Sequence, residues 1–198
     1  WSSDVCSSDL ALLPLASGAC ISSGDQNTIN NALAAGGPNA IVQLCASAFI
    51  QVTGQITFTA ANQEISTAGY PTGSTRATLQ IAPGSTISTI IAGGNHNAVR
   101  ILNIQIDGNR ANTGYDHTGG ANIELGGSGS GQVVSHVASK NPRGWSCLHV
   151  IGSGNTAAPC TNATIVNNDV GPCGQSGTDS SGNGLWRSEE HTSELQSP

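Results

Sequence analysis

The stretch VRILNIQIDG (99–108) is a dense aliphatic run interrupted by one amide, Asn103. Two later stretches repeat it: QVVSHVAS (132–139) is interrupted at His136 and ATIVNNDVG (163–171) at Asn167. These three residues stand 33 and 31 positions apart. Each stretch is followed by a second one, ANIELGG (121–127), CLHVIGS (147–153) and GLW (184–186), in which Ile123 and Leu148 are 25 apart. A recurring step of this size marks an architecture whose units bury their apolar faces on one another. The expected unit is a coil of two or three short strands joined by Gly, Asn and Ser turns. Such a coil suits an all-β, right-handed parallel β-helix, with inward aliphatics in a column and Asn at bends bonding buried backbone groups. The alternative is a Greek-key sandwich. It would favour two-residue hairpins, whereas Asp107-Gly108 is followed by about twelve residues of loop.

Upstream of the repeat the same texture continues. IVQLC (41–45), FIQV (49–52), ITFTA (56–60), QEIST (63–67), ATLQIA (77–82) and TISTIIA (86–92) are short runs, mostly rich in β-branched residues and bounded by Gly, Asn, Pro or Ser. Before them, DQNTINNALA (25–34) reads as a helix. Asp25 is a good N-cap. Ile29, Ala32 and Leu33 share a face, and Gly36-Gly37-Pro38 stops the helix. Being short, it must dock on something. No later segment reads as a good helix. ALLPLASGA (11–19) reads either as the tail of a secretory signal cleaved near Ala19 or as an apolar segment of the mature chain.

The 198 residues carry 26 Gly, 9% charged and 4% aromatic residues, and a formal charge of −6. Six Lys and Arg are too few to track a phosphate backbone, which argues against nucleic acid as a partner. No window is long and apolar enough for a membrane helix. Low charge argues against disorder, and scarce Lys, Glu and Met argue against a helical bundle.

The two ends differ from the rest. Residues 188–197 hold three Glu, while the preceding 187 residues hold two. Arg187 to Ser197 corresponds to one reading frame of a sequencing-adapter oligonucleotide, and Trp1 to Leu10 to a frame of its complement. Residues 1–10 and 187–198 are therefore expected to be foreign and poorly packed, with the β-helix domain over 20–186 and further coils beyond it. Without these tails the chain has five bases against seven acids, a charge of −2, and five cysteines.

SGDQNTINNALAAGG (23–37), IVQLC (41–45), QEISTAGYPTGSTRATL (63–79), VRILNIQIDGNR (99–110), GQVVSHV (131–137) and PRGWSCLHVI (142–151) together resemble the pectin-lyase-like superfamily, and within it secreted fungal β-helix proteins. The resemblance implies a helix-capped right-handed β-helix, monomeric and extracellular. It implies action on an acidic plant or cell-wall polysaccharide by lyase or hydrolase chemistry. The competing expectation is a non-catalytic glycan-binding or structural cell-wall protein. The Asp-Asp pair and Gly-His-Gly of polygalacturonase-like hydrolases are absent from the sequence.

An oxidising compartment would pair the cysteines. Cys20 with Cys45 and Cys147 with Cys160 are the expected bridges, leaving Cys173 without a partner. A four-thiolate zinc site would need a CxxC pair, and there is none. Asn162-Ala163-Thr164 is a glycosylation sequon.

Two polar clusters are candidates for chemistry. The first supplies Asp107, Arg110, Tyr115, Asp116, His117 and Glu124. Asp107, Asp116 and Glu124 would serve as a calcium or acid/base set, since glycoside hydrolysis needs two carboxyls and uronate elimination needs a base with a neutralised carboxylate. The plainer reading is a polar loop with a turn at Asp107-Gly108. The second cluster supplies Lys140, Arg143, Trp145 and His149. Stacking of coils would bring His149 beside Glu124, with Lys140, Arg110 and Arg143 to hold a carboxylate and Trp145 to stack on a sugar ring. The plainer reading packs Trp145 under its loop and leaves His149 on a solvated face. His96 and His117 lack ligand spacing and read as surface.

Overall fold

The computed structural model describes residues 20–116, 119–152, 162–173 and 185–187. The chain opens with helix α1 (Gln26–Gly36), then winds through five coils of three strands each among the described residues. The first coil holds β1 (Ile41–Leu44), β2 (Phe49–Val52) and β3 (Ile56–Thr57). The second holds β4 (Glu64–Thr67), β5 (Ala77–Ile81) and β6 (Ile91–Ala92), and the third β7 (Arg100–Leu102), β8 (Ile104–Asp107), the one-turn helix α2 (Arg110–Thr113) and β9 (Ala121–Gly127). The fourth holds β10 (Val133–Ser135), β11 (Ala138–Lys140) and β12 (Ser146–Gly152), and the fifth β13 (Thr164–Val166), β14 (Asp169–Val170) and β15 (Leu185–Arg187).

Every third strand pairs in parallel. Sheet 1 has the order β1-β4-β7-β10-β13, sheet 2 β2-β5-β8-β11-β14 and sheet 3 β3-β6-β9-β12-β15. The protein is an all-β parallel solenoid. A hairpin-joined sandwich does not describe it, because every strand pair among the described residues is parallel.

The register makes the core. Val42, Ile65, Ile101, Val134 and Ile165 stack as one column of sheet 1. Ile56, Ile91, Ile123, Leu148 and Leu185 are in register along sheet 3. In sheet 2, Ile50, Leu79 and Ile106 align with Ser139. Ser139 is a buried hydroxyl that donates to the Cys147 carbonyl at 2.9 Å and accepts from Asn122 at 3.2 Å. Each fully buried Ile, Leu or Val contributes about 1.5–3 kcal/mol.

Asn103, His136 and Asn167 all adopt left-handed backbone, with φ of 52°, 55° and 56°. That conformation turns the chain sharply from sheet 1 into sheet 2 with no intervening loop. It disfavours most side chains but suits Asn and, less often, His. Asn103 Nδ2 donates to the Tyr70 and Pro71 carbonyls at 3.1 and 3.0 Å.

The cap helix begins as its sequence indicates. Asp25 accepts from the backbone N–H groups of Asn27 and Thr28 at 2.8 and 3.3 Å. Ile29 and Leu33 are fully buried against the first coil. Its C-terminal end is satisfied from a distance: buried Gln63 donates to the Leu33 and Gly37 carbonyls at 2.8 and 2.9 Å. The Gln63 side-chain oxygen Oε1 accepts from the N–H groups of Thr59 and Ala60. Gln132 repeats this device two coils later, accepting from the N–H of Gly126 and donating to the carbonyls of Gly94 and His96.

Three expectations are corrected. Of TISTIIA only Ile91–Ala92 is a strand. α2 forms one helical turn in a stretch that carries no amphipathic pattern. Cys147 bridges Cys173, with Cα atoms 5.9 Å apart, and not Cys160. The reason is stacking: Cys147 opens the sheet 3 strand of one coil, and Cys173 follows the sheet 2 strand of the next, directly above. The Cys20–Cys45 bridge is as expected and ties the entry of α1 to the end of β1. Cys160 lies outside the described residues. So do both tails except Arg187, whose backbone is in register with Val150.

Candidate functional site

The outer face of sheet 3 brings the two polar clusters together. Glu124 of β9 and His149 of β12 are direct register partners. Below them lie Thr57 and Ala92, and above them Trp186. The alternation of the strands turns Ile123, Leu125, Leu148 and Val150 inward and leaves Glu124 and His149 outward but half-covered. That partial burial acts on the two groups in opposite senses. Desolvation raises the Glu124 pKa above its ordinary range, against smaller lowering contributions from hydrogen bonds to Thr89 and the Ala121 backbone. Desolvation lowers the His149 pKa. Glu124 is thus biased toward its protonated, donating form and His149 toward its neutral, accepting form.

One residue from Thr89, a second carboxylate is fixed. Asp116 accepts a hydrogen bond from Ser88 Oγ and pairs with Arg143 Nη1 at 2.9 Å. The two acids therefore take hydroxyl partners from successive residues, Ser88 and Thr89. Arg143 also donates to the carbonyls of Thr113 at 3.2 Å and Thr86 at 2.8 Å, and to Ser88 Oγ at 2.9 Å. Its guanidinium knits the loop after α2 to the segment before β6. Trp145 lies against Gly119: a Cβ there would sit 3.2 Å from its ring. Its backbone N–H donates to the Gly120 carbonyl at 2.7 Å. Arg143 and Trp145 thus both serve the packing of this loop.

Asp107 ends β8 on sheet 2, away from the Glu124 strand. It accepts from the Asn109 N–H at 2.8 Å, Asn141 Nδ2 at 3.1 Å and Gln80 Nε2 at 3.4 Å, and lies 3.7 Å from the Lys140 ammonium. With Asn109, Arg110, Ala111 and Asn141 it lines a cleft of about 380 Å³. Gly108 is required beside it. A Cβ there would strike the Asn141 carbonyl and come within 2.6 Å of the Pro142 Cα.

Asp107, Asp116 and Glu124 do not converge. Among the described residues no group of three or more His, Cys, Asp or Glu is placed to hold a metal ion. His117 lies outside the described residues. Asn162 of the sequon is exposed. Among the described residues no helix is long and apolar enough to cross a membrane.

One polar group escaped the sequence reading. On sheet 1 the buried Glu64 carboxylate accepts from Arg100 Nε at 2.8 Å and from the Tyr70 hydroxyl at 2.8 Å. Burial, followed by the Glu64 hydrogen bond and charge, raises the Tyr70 pKa. Glu64 and Arg100 are 36 residues apart and become partners only through the β4–β7 register. In comparison with known proteins, the chain matches no family model, no curated protein and no solved structure.

Proposed function

We propose that the protein is a secreted, right-handed parallel β-helix protein of the pectin-lyase-like kind that acts on acidic polysaccharide. The observation that carries the catalytic reading is the Glu124–His149 pair. Burial raises the proton affinity of the carboxyl and lowers that of the imidazole, bringing the two toward each other, and perturbed titratable groups side by side on one face are a usual mark of an acid–base site. In an elimination, neutral His149 takes the proton from the carbon next to the uronate carboxylate. The electron pair forms the new double bond as the glycosidic C–O bond breaks, and protonated Glu124 gives its proton to the leaving oxygen. In a hydrolysis the same Glu124 protonates the leaving oxygen while His149 takes a proton from the attacking water.

Right-handedness is supported by the parallel crossovers, of which about 98% take that hand. Secretion is supported by two disulfides in a short chain. A second reading, a non-catalytic glycan-binding or structural coil, is favoured by one observation: Nε and Nη1 of Arg143 are both committed to partners within the chain.

Incubation with polygalacturonate separates these readings. Ultraviolet absorbance from unsaturated uronate identifies the lyase, and new reducing ends without it the hydrolase. Neither signal on polygalacturonate and other acidic glycans removes the catalytic reading.

A further inference from the structure

We propose that the cleft beside Asp107 is a separate binding site for the carboxylate of an acidic sugar, with Arg110 as its anchor and Lys140 as its second cation. Four arginines fall within the described part of the chain whose side chains can be compared. Arg76 pairs with Asp169, Arg100 with Glu64 and Arg143 with Asp116. Arg110 differs. Its side chain rests on the Tyr115 ring, 4.3 Å from the centroid, and among the described residues its guanidinium has no hydrogen-bond or ion-pair partner. A guanidinium held over a ring is restricted in orientation, and its planar N–H fork matches a carboxylate.

The cleft around it is built. Asp107 fixes two of its walls, by accepting from the Asn109 backbone and the Asn141 amide. Asn109 is anchored in turn by donation to the Ile81 carbonyl at 2.9 Å. Lys140 stands in register with Asp107 and keeps an exposed ammonium 3.7 Å from it. Asp107 thus orders the rim, and the positive charge of two side chains exceeds its own. The volume of about 380 Å³ is that of a small sugar-sized ligand site. The Asn109 amide is engaged at both ends, by the Ile81 carbonyl and by Asn112 Nδ2, and Asn141 Nδ2 by Asp107, which leaves the Asn141 amide oxygen on the wall to accept from a sugar hydroxyl.

The ligand class rests on the function proposed above, but the site does not depend on the Glu124–His149 pair. Its test is therefore binding and not turnover. Affinity for trigalacturonate is measured by calorimetry in wild type, Arg110→Gln and Arg110→Lys, with thermal unfolding as a check on folding. Arg110→Gln is expected to weaken binding about tenfold or more, and Arg110→Lys less. The same trisaccharide with its carboxylates reduced to alcohols is expected to bind far more weakly. Equal affinity of wild type and folded Arg110→Gln would overturn the site, as would equal binding of the reduced sugar. Displacement of the trisaccharide by an equal concentration of sulfate would overturn the sugar assignment. Arg110-dependent binding without turnover on any acidic glycan would leave this site standing and remove the catalytic reading.

Discussion

Glu124 and His149 face each other across adjacent parallel strands, and the same partial burial biases one toward holding a proton and the other toward lacking one. This opposition gives the pair opposite pH signatures. A carboxyl raised in the folded state favours folding below its ordinary value of 4.5, and that contribution is lost as pH rises through the folded value. A histidine lowered in the folded state favours folding above 6.5, and that contribution is lost as pH falls through the folded value. Glu124→Gln should therefore raise the unfolding temperature relative to wild type at neutral pH and leave it unchanged below pH 4.5. His149→Gln should give its relative gain at acid pH and none well above 6.5. Thermal scans across pH check both.

If the pair is catalytic, His149→Ala should lower turnover on polygalacturonate by about a hundredfold or more. A loss confined to KM would assign His149 to binding.

Peptide mapping of the non-reduced protein should recover Cys147 linked to Cys173, a separation of 26 residues. Removing this bridge with Cys173→Ser is expected to cost about 3 kcal/mol in the chain-entropy description, read as a lower denaturant midpoint.

Asn103→Ala should cost about 2–3 kcal/mol. The substitution places alanine at φ 52° and removes the donors to the Tyr70 and Pro71 carbonyls. Asn103→Gly keeps the backbone conformation and should cost less. Equal losses in chemical denaturation would assign the whole effect to the hydrogen bonds.

Arg143→Ala tests whether that guanidinium is internal scaffolding. Loss of its bonds to Asp116, Ser88 and two carbonyls is expected to destabilise the protein by about 2–3 kcal/mol. An unchanged midpoint with weakened glycan binding would show that it grips the ligand.

The repeat was legible because Asn103, His136 and Asn167 occupy one structural position and the aliphatics around them one column. The same register argument placed Glu124 beside His149. What stayed hidden depends on which coil lies over which loop. Gln63 and Gln132 sit at corners where a buried amide reaches backbone across the coil, and nothing adjacent in sequence announces it. The Glu64–Arg100 pair needs the 36-residue register to be known first. Cys147 found Cys173 and not the nearer Cys160 because spatial neighbours in a solenoid lie a coil away. The carboxylates Asp107 and Glu124, close in sequence, project from different sheets.

Arg76 sits in the loop before β5, yet its guanidinium donates to the His136 carbonyl at 2.8 Å and to Asp169 at 3.2 Å. A stack of coils would ordinarily fray from its end, one layer at a time, because each layer holds only the next. This side chain skips the third coil and fastens the second to the fourth and fifth. Peeling the fifth coil must break a tie rooted three layers down, so hydrogen exchange there should be coupled to the second coil. In Arg76→Ala the fifth coil should exchange independently, turning one cooperative unit into a gradient.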